Sequence, residues 1–265
     1  MSAHSHLRPS PGLAGATASV RRPSVSRLLT RIGCCTVAAA LYGAAASAGV
    51  RLPGHPVLLT GRSALGRAIR VVIRGNPKAL HRILVVGCIH GDECAGTAIA
   101  GWLEHARPEP NTRLWIVENL NPDGYAARSR VNGRGVDLNR NFPWHWHAAG
   151  RPGDPRYPGD HPLSEPESRF AARLIERIRP QISIWFHQHL GVVDDSGGSL
   201  ILERRLARLV ALPLVRLPRY PGSATSWQNH LYPNTSVVVE LRSGTLTRAQ
   251  AARYGDAVLD VLGPT

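Results

Sequence analysis

The chain has 265 residues, 43% of them hydrophobic, and carries Lys+Arg 32 against Asp+Glu 18, a net charge of +14 with His neutral. That length and apolar share support a buried core and exclude a wholly disordered chain, and four cysteines exclude a disulfide-dense scaffold. The positive charge is almost all arginine, with Lys78 the only lysine, and it is scattered rather than run together, so no nucleic-acid partner is expected.

Residues 1–48 hold five arginines (Arg8, Arg21, Arg22, Arg27, Arg31) and no acid. An Ala-rich apolar run from Ile32 to Ala46 ends in Ala46-Ser47-Ala48. A basic segment, an apolar run and a small-x-small site describe a secretory signal peptide. The run is short for a membrane span, which needs about 20 residues. The expectation is a signal peptide over 1–48, with an uncleaved anchor as the alternative and as the only membrane contact. One folded domain over 49–265 and a secreted, extracytoplasmic location follow.

Gly61 to Arg67 is a turn-rich opening, followed by a strand over Ala68–Ile73 that Asn76-Pro77 breaks. Ile83–Cys88 is a continuous apolar run, the pattern of a strand buried on both faces. Cys94–Ala106 reads as a helix with Ala98, Trp102 and Leu103 on one side, and Arg113–Val117 as another strand. Strand, helix and strand with short joints predict a right-handed parallel crossover. Residues 119–162 are loop-like, rich in Asn, Gly, Pro and Arg, and loops of that length are usually functional. Ser164-Glu165-Pro166-Glu167 has the form of a capping box opening a helix to about Arg179. Ile182–Phe186 and Ser236–Leu241 are further buried strands, and a last helix covers about Thr247–Leu262. There is no internal repeat. The class is α/β with a central mixed sheet.

Several polar residues fall where that pattern calls for none. His90 and Glu93 follow directly on the Ile83–Ile89 run, three residues apart at a strand end that turns into a helix. Imidazole and carboxylate at one centre suit Zn²⁺, whose catalytic sites take three protein ligands. His187 ends the Ile182–Phe186 run and can reach the same sheet edge, where open α/β sheets place their sites. His189, two residues on, is the rival ligand. His145 and His147 belong to a surface or cleft-wall loop, and His55, His81, His105, His161 and His230 have no partner at ligand spacing. Glu240 lies inside the apolar Val237–Leu241 strand. It is either a salt-bridged core residue, with Arg242 the candidate partner, or a carboxylate held beside the metal to take a proton from water. Cys88 and Cys94 flank the metal motif, either as a small disulfide or as two small buried apolar residues.

Asn121-Pro122-Asp123-Gly124, Arg130-Val131-Asn132 and Gly135-Val136-Asp137-Leu138-Asn139-Arg140-Asn141-Phe142 follow the His90/Glu93 motif in order. His187 and Glu240-Leu241-Arg242 come after them. Together these motifs resemble the zinc carboxypeptidase family of the carboxypeptidase A type, over about residues 55–262. Gly61–Arg67, Trp185-Phe186-His187-Gln188 and the stretch Gly222 to His230 are similar to its bacterial murein peptide amidase branch. His189 departs from that branch, whose members have Pro there. The resemblance implies a three-layer α/β/α fold around a twisted, mostly parallel sheet. It implies one Zn²⁺ per chain, held by His90, Glu93 and His187. It implies Arg130 polarising the scissile carbonyl, Asn139 and Arg140 gripping the leaving residue's carboxylate, and Glu240 as general base and then acid. Asp137 would hold the Arg-rich loop or orient a ligand His. The family's mobile Tyr has no clear match, with Pro218 nearest its position and Tyr220 two residues away.

The substrate implied is a peptide derived from the cell wall, cut at the γ-D-glutamyl–meso-diaminopimelate bond by a monomeric enzyme. Removal of C-terminal residues from ordinary peptides, or deacylation of small N-acyl amino acids, are the alternatives. Thr225 and its neighbours would line the pocket for the leaving residue, and Thr225 carries no charge to declare a preference.

Overall fold

The computed structural model describes residues 57–263, and the N-terminal export segment read from the sequence lies outside them. Strands β1 (Val57–Arg62) and β2 (Ala68–Gly75) form an antiparallel hairpin. Its turn is shorter than the sequence suggests: Arg62 still pairs with Ala68, and the Ser63 amide closes onto the Arg67 carbonyl at 2.8 Å. β2 continues antiparallel onto β4 (Thr112–Val117). β4 runs parallel to β3 (His81–Val86), and β3 runs parallel to β5 (Ile182–Asp194). Helix α1 (Gly96–Leu103) makes the crossover between β3 and β4, shorter than the expected Cys94–Ala106. β5 pairs along its length with β7 (Thr235–Arg242), and its last two residues pair with the short β6 (Leu214–Val215). The result is a mixed, mostly parallel seven-stranded sheet.

The central strands are apolar on both faces because both faces are covered. On one face Ile83, Val85, Ile184, Phe186, Val237 and Val239 pack under α1, α4 (Leu200–Val210) and α6 (Arg248–Asp260). On the other, Leu84, Val86, Trp185 and Val238 pack under α3 (Pro166–Ile178) and α5 (Ala224–Leu231). Alternate side chains of one strand therefore feed two cores, and the layers are α/β/α. Each residue that leaves the apolar pattern at the carboxyl end of a central strand consequently emerges at one sheet edge.

The long loop is less featureless than its composition suggests. It contains α2 (Pro122–Ala127), capped by the Asn121 side chain, and a 3-10 turn over Leu138–Arg140 capped by Asp137. The expected capping box at α3 does not form. The N-cap is Glu165, without a side-chain bond to the helix, and Pro166 takes the first turn. The Ser164 hydroxyl is drawn away to Glu165 and Asn141, and Glu167 instead accepts the Ala64 amide and the Asn132 side chain. A capping box does form at α6, between Thr247 and Gln250.

Candidate active site

The site begins with strand pairing. Residue by residue, β5 and β7 run parallel, and His187 falls opposite Glu240. Past His189 the chain of β5 returns along β7, so that Leu190 faces Arg242, Val192 faces Glu240 and Val193 faces Val239. Glu240 is thus enclosed between the outgoing His187 and the returning Val192.

The loop after β3 brings the other ligand candidates. His90, Glu93 and His187 offer ligand atoms that all lie within 4.8 Å of one another, the one such group among the described residues. Glu93 Oε2 is 3.0 Å from His90 Nδ1 and 3.1 Å from His187 Nδ1. His90 Nε2 is 3.0 Å from Asp137 Oδ1, which fixes that ring's second nitrogen as the donor and turns Nδ1 toward the centre. Two imidazole nitrogens and a carboxylate oxygen converge on one point, and such a group of electron pairs calls for a cation. The donors are those that suit zinc. Cys88 and Cys94 are joined by a disulfide that brackets this loop, with 4.8 Å between their Cα atoms.

The electrostatics follow from burial and neighbours. Burial opposes a charge on His90, but Asp137 and Glu93 outweigh it and raise the ring's pKa above its ordinary value. Burial lowers the pKa of His187 despite its bond to Glu93. Glu93 is desolvated, yet hydrogen bonds from the two imidazoles hold its carboxyl far below the usual carboxylate range. Asp137 is fully buried and is likewise held low by His90 and Arg130. Glu240 has the opposite fate: burial, then repulsion from Glu93, push its carboxyl up to about 7. Its Oε2 is buried without a hydrogen-bond partner, and it makes no ion pair among the described residues, with Arg242 or any other. The salt-bridged core alternative is therefore excluded.

The remaining residues line the same cleft of about 480 Å³, among them Arg130, Asn139, Arg140, Thr225 and Glu240. Arg130 donates to Glu93 Oε1 at 2.6 Å and to Asp137 Oδ2 at 3.0 Å. Asp137 thus does both things expected of it, holding the Arg-bearing loop and orienting His90. Asn139 accepts the Ala224 amide at 2.9 Å, tying the 3-10 turn to the start of α5. Arg140 is only 8% exposed, and its Nε has no partner among the described residues. Asn141 is a scaffold residue, bonded to Pro158, His161, Ser164, Glu165 and Ser168 and away from the cleft.

His189 lines the cleft but is exposed and stands outside the ligand group, and none of the other histidines among the described residues joins it; His55 lies outside those residues. Tyr220, unassigned by sequence, sits over the Arg140 guanidinium at 4.3 Å. Arg156 and Arg219 also line the cleft, and neither belongs to any motif. Only spatial convergence reveals them.

Gly222 locks the Leu138–Arg140 turn in place. Its φ is +69°, and a Cβ there would meet the Arg140 carbonyl oxygen at 2.0 Å. Gly222→Ala is expected to cost ~2 kcal/mol or more through the left-handed backbone and the clash. Thermal unfolding of the variant beside the parent checks this. An unchanged Tm contradicts it.

The comparisons agree with this geometry. The family model described as zinc carboxypeptidase matches residues 56–193, a span that holds every candidate above except Thr225, Glu240 and the Arg219/Tyr220 wall. Murein peptide amidase A of Escherichia coli (strain K12) is 35% identical over 157 residues, 54% of this chain and 64% of that protein. The protein of the same name from Vibrio campbellii is 31% identical over 182 residues, 64% of this chain and 73% of its own length. The chain therefore spans somewhat under two thirds of the E. coli relative. The crystal structure of murein-tripeptide amidase from E. coli O157 superposes with a TM-score of 0.62 at 28% identity, covering 80% of this chain and 93% of that one. Bovine thrombin-activatable fibrinolysis inhibitor, at 19% identity and a TM-score of 0.65, shares the fold. With the motif order, the sheet and the His-Glu-His group all in agreement, the chain belongs to the zinc carboxypeptidase family.

Proposed function

We propose that the protein is a zinc-dependent peptidase that hydrolyses the amide bond next to a residue bearing a free carboxylate. The substrate we assign is a murein-derived peptide, cut between γ-D-glutamate and meso-diaminopimelate. The observation that carries the reading is the pairing of His187 with Glu240, which sets a carboxylate with no ion pair among the described residues beside the His90/Glu93/His187 group in a cleft that also holds Arg140. The murein peptide amidases similar to this chain support the choice of substrate.

In this mechanism His90, Glu93 and His187 would hold one Zn²⁺ per chain. When bound, the ion supplies a Lewis acid for the scissile carbonyl and acidifies water at neutral pH. Glu240 takes the proton of the attacking water and delivers it to the leaving amine, a transfer suited to a carboxyl whose pKa lies near the working pH. Arg130 leaves its bond with Glu93 to stabilise the developing oxyanion, a contribution of ~3–4 kcal/mol for a donor of this kind. The planar fork of Arg140, assisted by Asn139, binds the leaving residue's carboxylate.

Product analysis on L-Ala-γ-D-Glu-meso-diaminopimelate, run beside ordinary tripeptides with basic and apolar C-termini, tests the substrate. Release of free diaminopimelate with little turnover of the others is expected, and the reverse preference makes the protein an ordinary carboxypeptidase. Metal analysis should find about one zinc per chain, and a chelator should abolish turnover reversibly. A metal-free, chelator-insensitive enzyme refutes the reading. We further propose export: a mature N-terminus after Ala48, read by sequencing the protein from the medium, is the expected result.

A further inference from the structure

Four arginines line the cleft, and two of them are committed to carboxylates. Arg130 is bonded to Glu93 and Asp137. Arg219 is bonded to Asp194 at 2.7 Å and to the Asp195 carbonyl. Arg140 and Arg156 have no ion pair among the described residues. Both instead lie on one aromatic ring: the Arg140 guanidinium is 4.3 Å from the centre of Tyr220, and that of Arg156 is 5.0 Å from it. Arg140 is buried with its Nε unpartnered.

Arg156 is presented by a pinned segment of chain. The carbonyl of Pro155, its neighbour on one side, accepts Arg130 Nε at 3.0 Å. The carbonyl of Tyr157, its neighbour on the other, accepts the Asp137 amide at 2.8 Å. Its backbone is thus fixed by two residues of the site itself, while its exposed guanidinium points its charge at the ring that also covers Arg140.

Two unpaired cations on one tyrosine repel each other, and burial together with the charges of Arg130 and Arg156 depresses the pKa of Arg140. One carboxylate on the leaving residue answers Arg140 and leaves Arg156 unpaired. A second carboxylate on the same residue answers both, each through a charge-assisted bond.

We propose that Arg156 is the specificity-determining residue of the cleft, recognising a second carboxylate on a leaving residue whose first carboxylate is held by Arg140. The preferred leaving group is accordingly an amino diacid. This rests on the peptidase reading above and says which residue selects its substrate.

The test uses two tripeptides that differ only in the leaving residue, meso-diaminopimelate in one and lysine in the other, so that the second lacks one carboxylate. Full-length zinc-loaded enzyme and its Arg156→Gln, Arg156→Lys and Arg151→Gln variants are compared by kcat/KM on each. Arg151 is exposed, lies in the same loop and is not part of the cleft wall. The wild type should favour the diacid. Arg156→Gln should lower the diacid-to-lysine ratio about 10-fold, the worth of one charge-assisted bond at a partly exposed site. Arg156→Lys should restore part of the ratio, and Arg151→Gln should leave it unchanged. A ratio unaltered by Arg156→Gln, or an equal fall in Arg151→Gln, overturns the proposal. A wild type that cuts both peptides equally overturns it alone, whereas one that cuts neither overturns the peptidase reading and this inference with it.

Discussion

Replacing Glu240 by Gln is expected to lower kcat/KM by about 10³-fold or more while leaving the zinc content at one per chain. General acid–base catalysis by a positioned side chain typically contributes 10²–10⁴-fold, and in the mechanism proposed above one carboxylate serves both proton transfers. Glu240 is not among the ligand group, so the metal has no reason to leave with it. The substitution is also nearly isosteric, and among the described residues Glu240 makes no ion pair whose loss could destabilise the strand. The pH profile gives a second readout. The carboxyl is raised to about 7 by burial and by the charge of Glu93, and only its ionised form can act as base. Activity should therefore fall as pH drops through the pKa of this group. A bound cation attracts the carboxylate and partly cancels Glu93, so in the holoenzyme the acidic limb lies at or below that value. In Glu240→Gln the residual activity should lose this limb. A variant that retains both its turnover and its acidic limb removes Glu240 from the mechanism.

The positions of His187 and Glu240 were readable because the sheet imposes a simple rule. Ile182–Phe186, broken only by the small buried Ser183, and Val237–Val239 are apolar runs, so the first large polar or charged residue after each marks a sheet edge. The His90/Glu93 loop was readable for the same reason, after Ile83–Val86. What lay beyond sequence was whatever depends on partners distant in the chain. The face of α4 is interrupted by the buried Glu203, which is tolerable only because the Ser196 and Gly198 amides bond to it. The polar Gln228 of α5 is buried because it reaches Ser183. Ser164 and Glu167 have the spacing of a capping box, but Asn141, Ala64 and Asn132 compete for them and win. Tyr220, Arg156 and Arg140 share no local pattern at all, and their meeting is a property of the folded cleft.

His187→Ala is expected to abolish stoichiometric zinc binding, and His189→Ala to retain it. The two histidines are two residues apart, and an ideal strand would turn both to one face. The structure separates them: His187 is buried with its Nδ1 3.1 Å from Glu93, whereas His189 is exposed and its neighbour Leu190 already belongs to the returning half of the strand. Removing a ligand leaves His90 and Glu93 to hold the ion alone, fewer than the three protein ligands that a catalytic zinc site uses. Asp137→Asn supplies the calibration. It keeps all three ligands but weakens the acceptor that fixes the His90 tautomer, so zinc affinity should fall by about 10- to 100-fold and no further. The order of affinities should thus run from His189→Ala, close to the parent, through Asp137→Asn to His187→Ala. Competition titration against a chelator of known affinity measures all three. If His189→Ala loses the metal and His187→Ala keeps it, the centre is built on the returning segment of β5 rather than on its apolar core, and the ligand set named here is wrong.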